Sequence, residues 1–542
     1  MIELGQIKID SAVLERQLKH DLKDDWFPDS IYFKDYFGTG KISELIQQNF
    51  EANHGDYLPN KRKVANIPKP DFTIRSALEI GIIDRAVYHG ICSKLCEYLD
   101  DQIPWFVFSH RRSDSTQNIR YMFRRGIPAW VDFLGTVKAA MSPGCFLLST
   151  DLTNYFDNIQ IDKLKFELNA LIPDLKQSAA VKNEIRAYID FLFKCLNLWT
   201  YEDTRGLPQN RDASSFLANV YMRRIDLNMR KEGYQFFRYM DDIKIVCNSE
   251  IEARKALQHL VVQLRQLGLA VNSKKTEMLE IADRQILENS VEEQSPTIRY
   301  LQSLWDTRKL PMIKRSFGPL KNITIQCLQN GDVVSREFRF AINRLVLLAG
   351  CKEIAVPEVY FEPITNLVIE CLTKYPAPTD KYVSYLERVP LNDAQIDRLE
   401  SFLTDDEYKI YDWQSYRIWA LMGVRGIDRE NLITAAVDKL DKGDSAERAG
   451  ATLYLGAHGN LDQKKKIAEN FGTLTSFFGQ RAALLGMQDV KFNQGVKQNV
   501  LGKVRSDLHD VYRKANTEKI GQFAKPEPFS ITQIIDTERD YA

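Results

Sequence analysis

The chain has 542 residues, 44% of them hydrophobic and 27% charged, and its 73 Lys and Arg are matched by 73 Asp and Glu. That length can bury large cores and favours two or more domains, and a net charge of zero excludes binding of polyanions through the overall field, so any nucleic-acid surface must be local. Eight cysteines are scattered, and Cys92 and Cys96, one helical turn apart, have no second Cys or His pair at ligand spacing, which excludes a disulfide framework and argues for reduced, buried thiols over a zinc site. The start Met1-Ile2-Glu3-Leu4-Gly5 lacks the basic and apolar regions of a signal peptide, and no apolar run reaches membrane-spanning length, so a cytoplasmic protein with no membrane partner is expected.

In chain order, residues 1–58 hold a helix over Ser11 to Lys23 and then Trp26, Tyr32, Phe33, Tyr36 and Phe37, aromatics suited either to base stacking or to core and subunit contacts. Residues 59–295 form the next unit. From Trp105 to Trp130, five arginines (Arg111, Arg112, Arg120, Arg124 and Arg125) face one acid, Asp114, and are interleaved with Phe106, Phe108, Tyr121 and Phe123. This is the composition of a groove that follows a phosphate backbone while bases stack, and equally of a solvated basic face packed by its own aromatics. A helix over Asn118–Arg125 would put Arg120 and Arg124 on one face.

Phe146 to Ile159 reads as a strand that ends on Asp151 and runs into a helix. Apolar residues at three and four spacing make 160–200 helical. A turn at Gly206-Leu207-Pro208 and a helix from Ala213 to about Arg230 follow. Tyr234–Arg238 and Ile243–Cys247 are β-rich runs that flank Tyr239-Met240-Asp241-Asp242, a hairpin with two carboxylates at its turn. A helix over 251–267 and a short strand Leu269-Ala270-Val271 complete a split βαβ-type sheet with helices on one face, which places Asp151 and Asp241 on neighbouring strands. Glu280 to Ser295 reads as a surface connection.

From about residue 300 predicted helices follow one another. Segments beginning at Arg417, Arg448 and Arg481 resemble one another at intervals of 31 and 33 residues, each an apolar helix ending at Gly. Stacked helix-pair repeats over 300–497 give such a period, and so does a bundle with glycine caps. Residues 498–542 read as a polar, partly ordered tail.

Two adjacent carboxylates repel unless solvated or neutralised. Paired with a strand-end Asp, they suit hard divalent cations, and two such ions about 3.5–4 Å apart can drive in-line phosphoryl transfer. That is nucleotide polymerisation.

Here the motifs resemble a known family. The strand-Asp-x4-Phe-Asp segment at Asp151 followed by Tyr239-Met240-Asp241-Asp242 resembles a reverse transcriptase palm, and three further blocks fall in the family's order. Lys61 to Pro70 with Arg75 and Ile82–Val87 resembles the fingers motif of bacterial and intron-encoded enzymes. Gly206–Gln209, continuing through Ser214–Asn219 to Ile225-Asp226, resembles the block that supports template and nucleotide. Gly268 to Thr276 resembles the later lysine motif. Asn210 and Ser214-Ser215 replace the usual Gly and Ser-Pro, and with the helical second half this is most similar to the abortive-infection and defence-associated reverse transcriptases of bacteria.

The resemblance implies an α+β palm and fingers followed by an all-α, HEAT-like repeat domain, and a magnesium-dependent (or manganese-dependent) RNA-directed DNA polymerase active in antiphage immunity. It implies Asp151, Asp241 and Asp242 as metal ligands and Lys275 near the leaving pyrophosphate. Lys69 and Arg75 would hold the triphosphate, Phe156 would exclude a 2′-hydroxyl, and Gln209 would support template or nucleotide. Implied partners are dNTPs, a DNA product covalently attached to a tyrosine, for which Tyr541 is one candidate, or a dedicated non-coding RNA, and further copies of the chain in a trimer or hexamer. Two alternatives stay open: RNA-templated synthesis, and an inactive palm whose helical part is an assembly scaffold.

Overall fold

The computed structural model describes residues 1–542 except 39, 71–72, 114–121, 203, 210, 291–294, 355, 489, 491–497, 499, 518–519 and 534–542. Arg120, Asp114, Tyr121, Asn210 and Tyr541 therefore lie outside the described residues. A small hairpin of Ile2–Leu4 (β1) and Ile7–Ile9 (β2) precedes helix Ser11–Asp21 (α1), whose first amides bond the Asp10 side chain. Helix Lys41–Ala52 (α2) follows, and then the fingers hairpin of Lys63–Pro68 (β3) and Ile74–Glu79 (β4), paired from Lys63↔Glu79 to Pro68↔Ile74. Helix Ile82–Leu99 (α3) is buried almost all round, as its lack of a polar stripe requires.

Helix Gly126–Ala140 (α4) leads into strand Phe146–Thr150 (β5), and a single turn at Tyr155–Asn158 (α5) precedes helices Ile161–Leu171 (α6), Ala179–Trp199 (α7) and Asp212–Lys231 (α8). Strands Gln235–Tyr239 (β6) and Asp242–Cys247 (β7), helix Glu250–Leu267 (α9) and strand Glu277–Glu280 (β8) complete an antiparallel sheet of order β6-β7-β5-β8.

Three local expectations are corrected. The strand foreseen at Leu269–Val271 is one bridge, Val271 to Leu152, and the sheet's fourth strand lies after the lysine motif, at Glu277–Glu280. Arg124 is extended, its amide bonded to the Arg111 carbonyl beside the Arg112–Phe123 bridge, so no helix places it on a face with Arg120. Helices do not cover one face alone. Successive strand residues point oppositely, and at the end of β6 Arg238 meets Asp226 of α8 while Tyr239 meets Trp130 and Phe133 of α4.

After a short helix at Arg284–Ser290 and helices Pro296–Asp306 and Leu310–Arg315, the chain forms a two-layer array. One layer holds helices Phe317–Asn330, Glu362–Lys374, Asp393–Thr404, Glu430–Asp438 and Leu461–Glu469; the other holds Arg336–Ala349, Thr379–Leu386, Asp412–Arg425, Ala446–His458 and Phe477–Gly486. Nearly every helix packs on the next but one as well as on its neighbour, the pattern of a solenoid. The recurring glycines are close-approach points more than caps. A Cβ at Gly450 would lie 2.8 Å from the Cβ of Trp419, and one at Gly456 would fall on the backbone of Gly486.

The described residues of 500–533 are no loose tail. Val500, Leu508 and Val511 are buried, Phe523 fills the notch left by Gly423, and the Phe529 amide bonds the Gly350 carbonyl. Among the described residues, all eight cysteines are buried and free, and no helix is long and apolar enough to cross a membrane.

Candidate active site

β7 pairs with β5 up to Thr150↔Ile243, so Asp151 stands one step beyond the ladder, level with Asp242, beside the two-residue turn Met240-Asp241. Met240 adopts φ 56°, the left-handed conformation that such tight hairpins demand. A buried guanidinium holds the turn. Arg238 donates to both carboxylate oxygens of Asp226 at 2.8 and 2.6 Å, to Asn219 Oδ1 at 2.9 Å and to the Met240 carbonyl at 2.9 Å. Both members of this ion pair are fully buried. On the other side, the Asn272 amide bonds the Asp151 carbonyl at 2.7 Å and Thr276 Oγ1 meets Thr150 Oγ1 at 2.8 Å.

A cavity of about 810 Å³ opens over the two carboxylates, and Asp151, Asp241, Lys275, Lys69, Arg75, Phe156 and Gln209 all line it. Burial first, then the like charge of Asp151 and of Asp242, pushes the Asp241 carboxyl up to about 6. Lys275 Nζ lies 2.6 Å from Asp151 Oδ2, and that hydrogen bond raises its pKa despite partial burial. Lys69 donates to Asn154 Oδ1 at 2.8 Å, with Asn154 itself left-handed at φ 46°. Burial, and then the proximity of Arg75, lowers the Lys69 pKa.

The Gln209 side-chain amide donates to Asp157, whose carboxyl burial has raised. Asp242 pairs with Tyr239 at the start of β7 and is not among the cavity's lining residues.

Among the described residues of the basic stretch, the arginines have separate surroundings. Arg111 is occupied in holding its own loop, with its guanidinium on Asp100 at 3.2–3.3 Å and on the Pro104 and Val107 carbonyls at 2.9 and 3.1 Å. Arg112 bonds the Glu97 carbonyl at 3.2 Å and is exposed. None of Arg111, Arg112, Arg124 and Arg125 lines the cavity. Asn154, Asp157, Arg238 and Trp26 were not selected as site residues; the first two lie inside the Asp-x4-Phe-Asp block, and only their partners reveal their roles.

The donor set fits magnesium. Among the described residues no three His, Cys, Asp or Glu side chains gather as a metal cage, while magnesium is held through one or two carboxylates together with substrate phosphates. Asp151 and Asp241 supply such a pair of hard oxygen ligands, and their mutual repulsion is what a dication relieves.

A family profile described as reverse transcriptase (RNA-dependent DNA polymerase) matches residues 67–303. No curated protein matches the chain. Among solved structures, apo telomerase from Candida tropicalis truncated from its C-terminal domain is 13% identical, with 43% of this chain and 54% of that chain covered at a TM-score of 0.29. Telomerase from Candida albicans in complex with a TWJ fragment of telomeric RNA is also 13% identical, with 72% of this chain and 69% of that one covered at a TM-score of 0.31. The chain thus spans about half the length of the first of these. Every one of the seven lining residues named above falls within the stretch 67–303 that matches the reverse transcriptase profile, while His20, Asp21 and Trp26 line the cavity from outside it.

Proposed function

We propose that the cavity transfers deoxynucleotides to a primer hydroxyl, in a defence-associated reverse transcriptase of the abortive-infection type. The observation that carries this reading is one cavity in which two strand-end carboxylates face three cations, Lys69, Arg75 and Lys275, from separate parts of the chain. Asp151 and Asp241 would hold magnesium together with the incoming phosphates, and the ion would supply charge neutralisation during phosphoryl transfer.

The chain's own groups do the rest. Arg75 and Lys69 bind the triphosphate, for which a guanidinium's fork suits two phosphate oxygens. Lys275, already raised in pKa by Asp151, holds a proton at Nζ that it can deliver to the pyrophosphate as it leaves. Phe156 covers the sugar and excludes a 2′-hydroxyl. Asp242 adds negative charge behind the turn, acting through Asp241.

The two-layer helical array after the palm supports the likeness to the defence enzymes. Priming by a tyrosine without a template, and copying of a dedicated RNA, are the two modes this reading admits.

Incorporation of each labelled dNTP by purified protein, with magnesium and no added template, tests it against an Asp241→Ala, Asp242→Ala double variant. Label that survives RNase, is released by protease and is absent from the variant marks protein-primed synthesis. Label lost on RNase treatment marks a copied RNA. No incorporation, even with a primed template supplied, refutes the reading.

A further inference from the structure

Among the described residues the Arg75 side chain makes no hydrogen bond or ion pair; its guanidinium lies 5.2 Å from the centroid of the Trp26 ring, and the charges of Asp157 and Asp241 also act on it. Trp26 lies far from the fingers in sequence, in a non-helical strap over Asp25–Asp29, yet it lines the same cavity as Arg75 and the two carboxylates.

The strap is pinned from two sides. On the polymerase side Arg85 and Arg211 reach Asp25 at 2.5 and 3.2 Å. On the side of the helical array, Trp413 Nε1 donates to the Trp26 carbonyl at 2.6 Å and Tyr416 donates to the Pro28 carbonyl at 2.6 Å. Arg481 grips Asp29 at 2.5 and 3.0 Å. The ring is thus held by the second half of the chain through its own backbone.

A flexible arginine loses rotamer freedom when it closes on phosphate, and a ring that orients it beforehand removes part of that cost. A cation over an indole face gains most where water is excluded, and burial here is deep enough to lower the Arg75 pKa. Resting on the nucleotide-site reading above, we infer that Trp26 is a positioning residue that presents Arg75 to the triphosphate, and that the helical array sets nucleotide affinity through its grip on the strap.

The test is equilibrium binding of a fluorescent dATP analogue to full-length protein in magnesium, with the KM for dATP beside it. Trp26→Ala weakens binding by roughly five- to thirtyfold and raises KM by the same factor while kcat stays within about twofold, the signature of lost substrate binding. Trp26→Phe, which keeps a ring, recovers most of the affinity. In an Arg75→Ala background the Trp26→Ala change adds less than twofold, because its route of action is gone. Trp413→Phe, which removes one indole N–H and little volume, shifts affinity in the same direction by less.

Unchanged affinity in Trp26→Ala overturns the inference, and so does an equal effect with or without Arg75, which would put the ring on the nucleobase. Wild-type protein that binds no dATP overturns the reading of the site itself, and the inference with it.

Discussion

Replacing Arg238 by Met perturbs the Met240-Asp241 turn without touching a lining carboxylate. The substitution leaves Asp226 fully buried with its bidentate partner gone, and burial already raises the Asp226 carboxyl above its ordinary value even with Arg238 present. Breaking a buried pair from one side costs about 3–5 kcal/mol, whereas replacing both members by apolar groups is often neutral. Arg238→Met should therefore lower stability by about 4 kcal/mol, and Arg238→Met combined with Asp226→Leu should recover most of it. Catalysis should not recover with stability. Arg238 also holds the Met240 carbonyl at 2.9 Å and Asn219 at 2.9 Å, and Met240 sits in a left-handed conformation that an unanchored chain abandons. A displacement of about 1 Å at reacting groups can cost about 10²-fold in rate. The assay is urea denaturation followed by far-UV circular dichroism, beside dNTP incorporation, on wild type, single and double variants. A single variant as stable as wild type would refute the buried-pair argument. A double variant with full stability and full activity would refute the role of the clamp in holding Asp241.

Asp84 is fully buried, bonded by Tyr57 at 2.8 Å and by Asn60, and burial and then the Asp507 charge push its carboxyl up to about 7. A raised acid stabilises the fold fully below its unfolded value near 4 and loses that contribution as pH rises through about 7. Asp84→Asn should thus match wild type near pH 4 and exceed it at pH 8 by up to about 4 kcal/mol, read as a flatter dependence of the urea midpoint on pH; parallel curves would refute this. Phe156→Ala should cut the preference for dNTP over rNTP by about 10- to 200-fold, measured as a ratio of kcat/KM; unchanged discrimination would leave Phe156 a core residue of the α5 turn. Arg111→Ala should lower stability by about 1–3 kcal/mol because Asp100 loses its partner, and gel-shift affinity for single-stranded DNA should stay within about twofold; a large affinity loss at unchanged stability would refute this and assign Arg111 to nucleic-acid binding.

What was legible depended on whether a residue's partner lay close in sequence or along a regular period. The hairpin with Asp241, the strand ending at Asp151 and the helices of 160–230 follow from local polarity and spacing, and seven of the selected residues meet in one cavity. The partners of Arg111 were not legible, because composition counts charges but does not show that Asp100 and two carbonyls engage that guanidinium. The Arg238 clamp was invisible for the opposite reason. Its partners stand 12 and 19 residues away on α8, and an arginine inside an apolar strand shows no period that selects it. Residues 500–533 looked like a tail because polar composition predicts exposure, whereas one aromatic, Phe523, seated over a missing Cβ at Gly423 helps hold that stretch to the array.

The same long-range contacts change how the nucleotide cavity is built. A two-stranded hairpin is marginal in water by itself, and β3–β4 is steadied from outside: Lys63 pairs with Asp444 at 3.0 Å, and Glu79 accepts the Phe478 amide at 2.9 Å. Both partners belong to the helical array. Lys69, at the hairpin's tip, reaches the palm at Asn154 instead, and Arg75, on its second strand, rests on the strap that the array also holds. Any opening of the fingers away from Asp151 and Asp241 must therefore either carry the array along or break its contacts with the hairpin. The walls around the candidate triphosphate site thus come from fingers, palm and strap, and two of these three are fastened to the array.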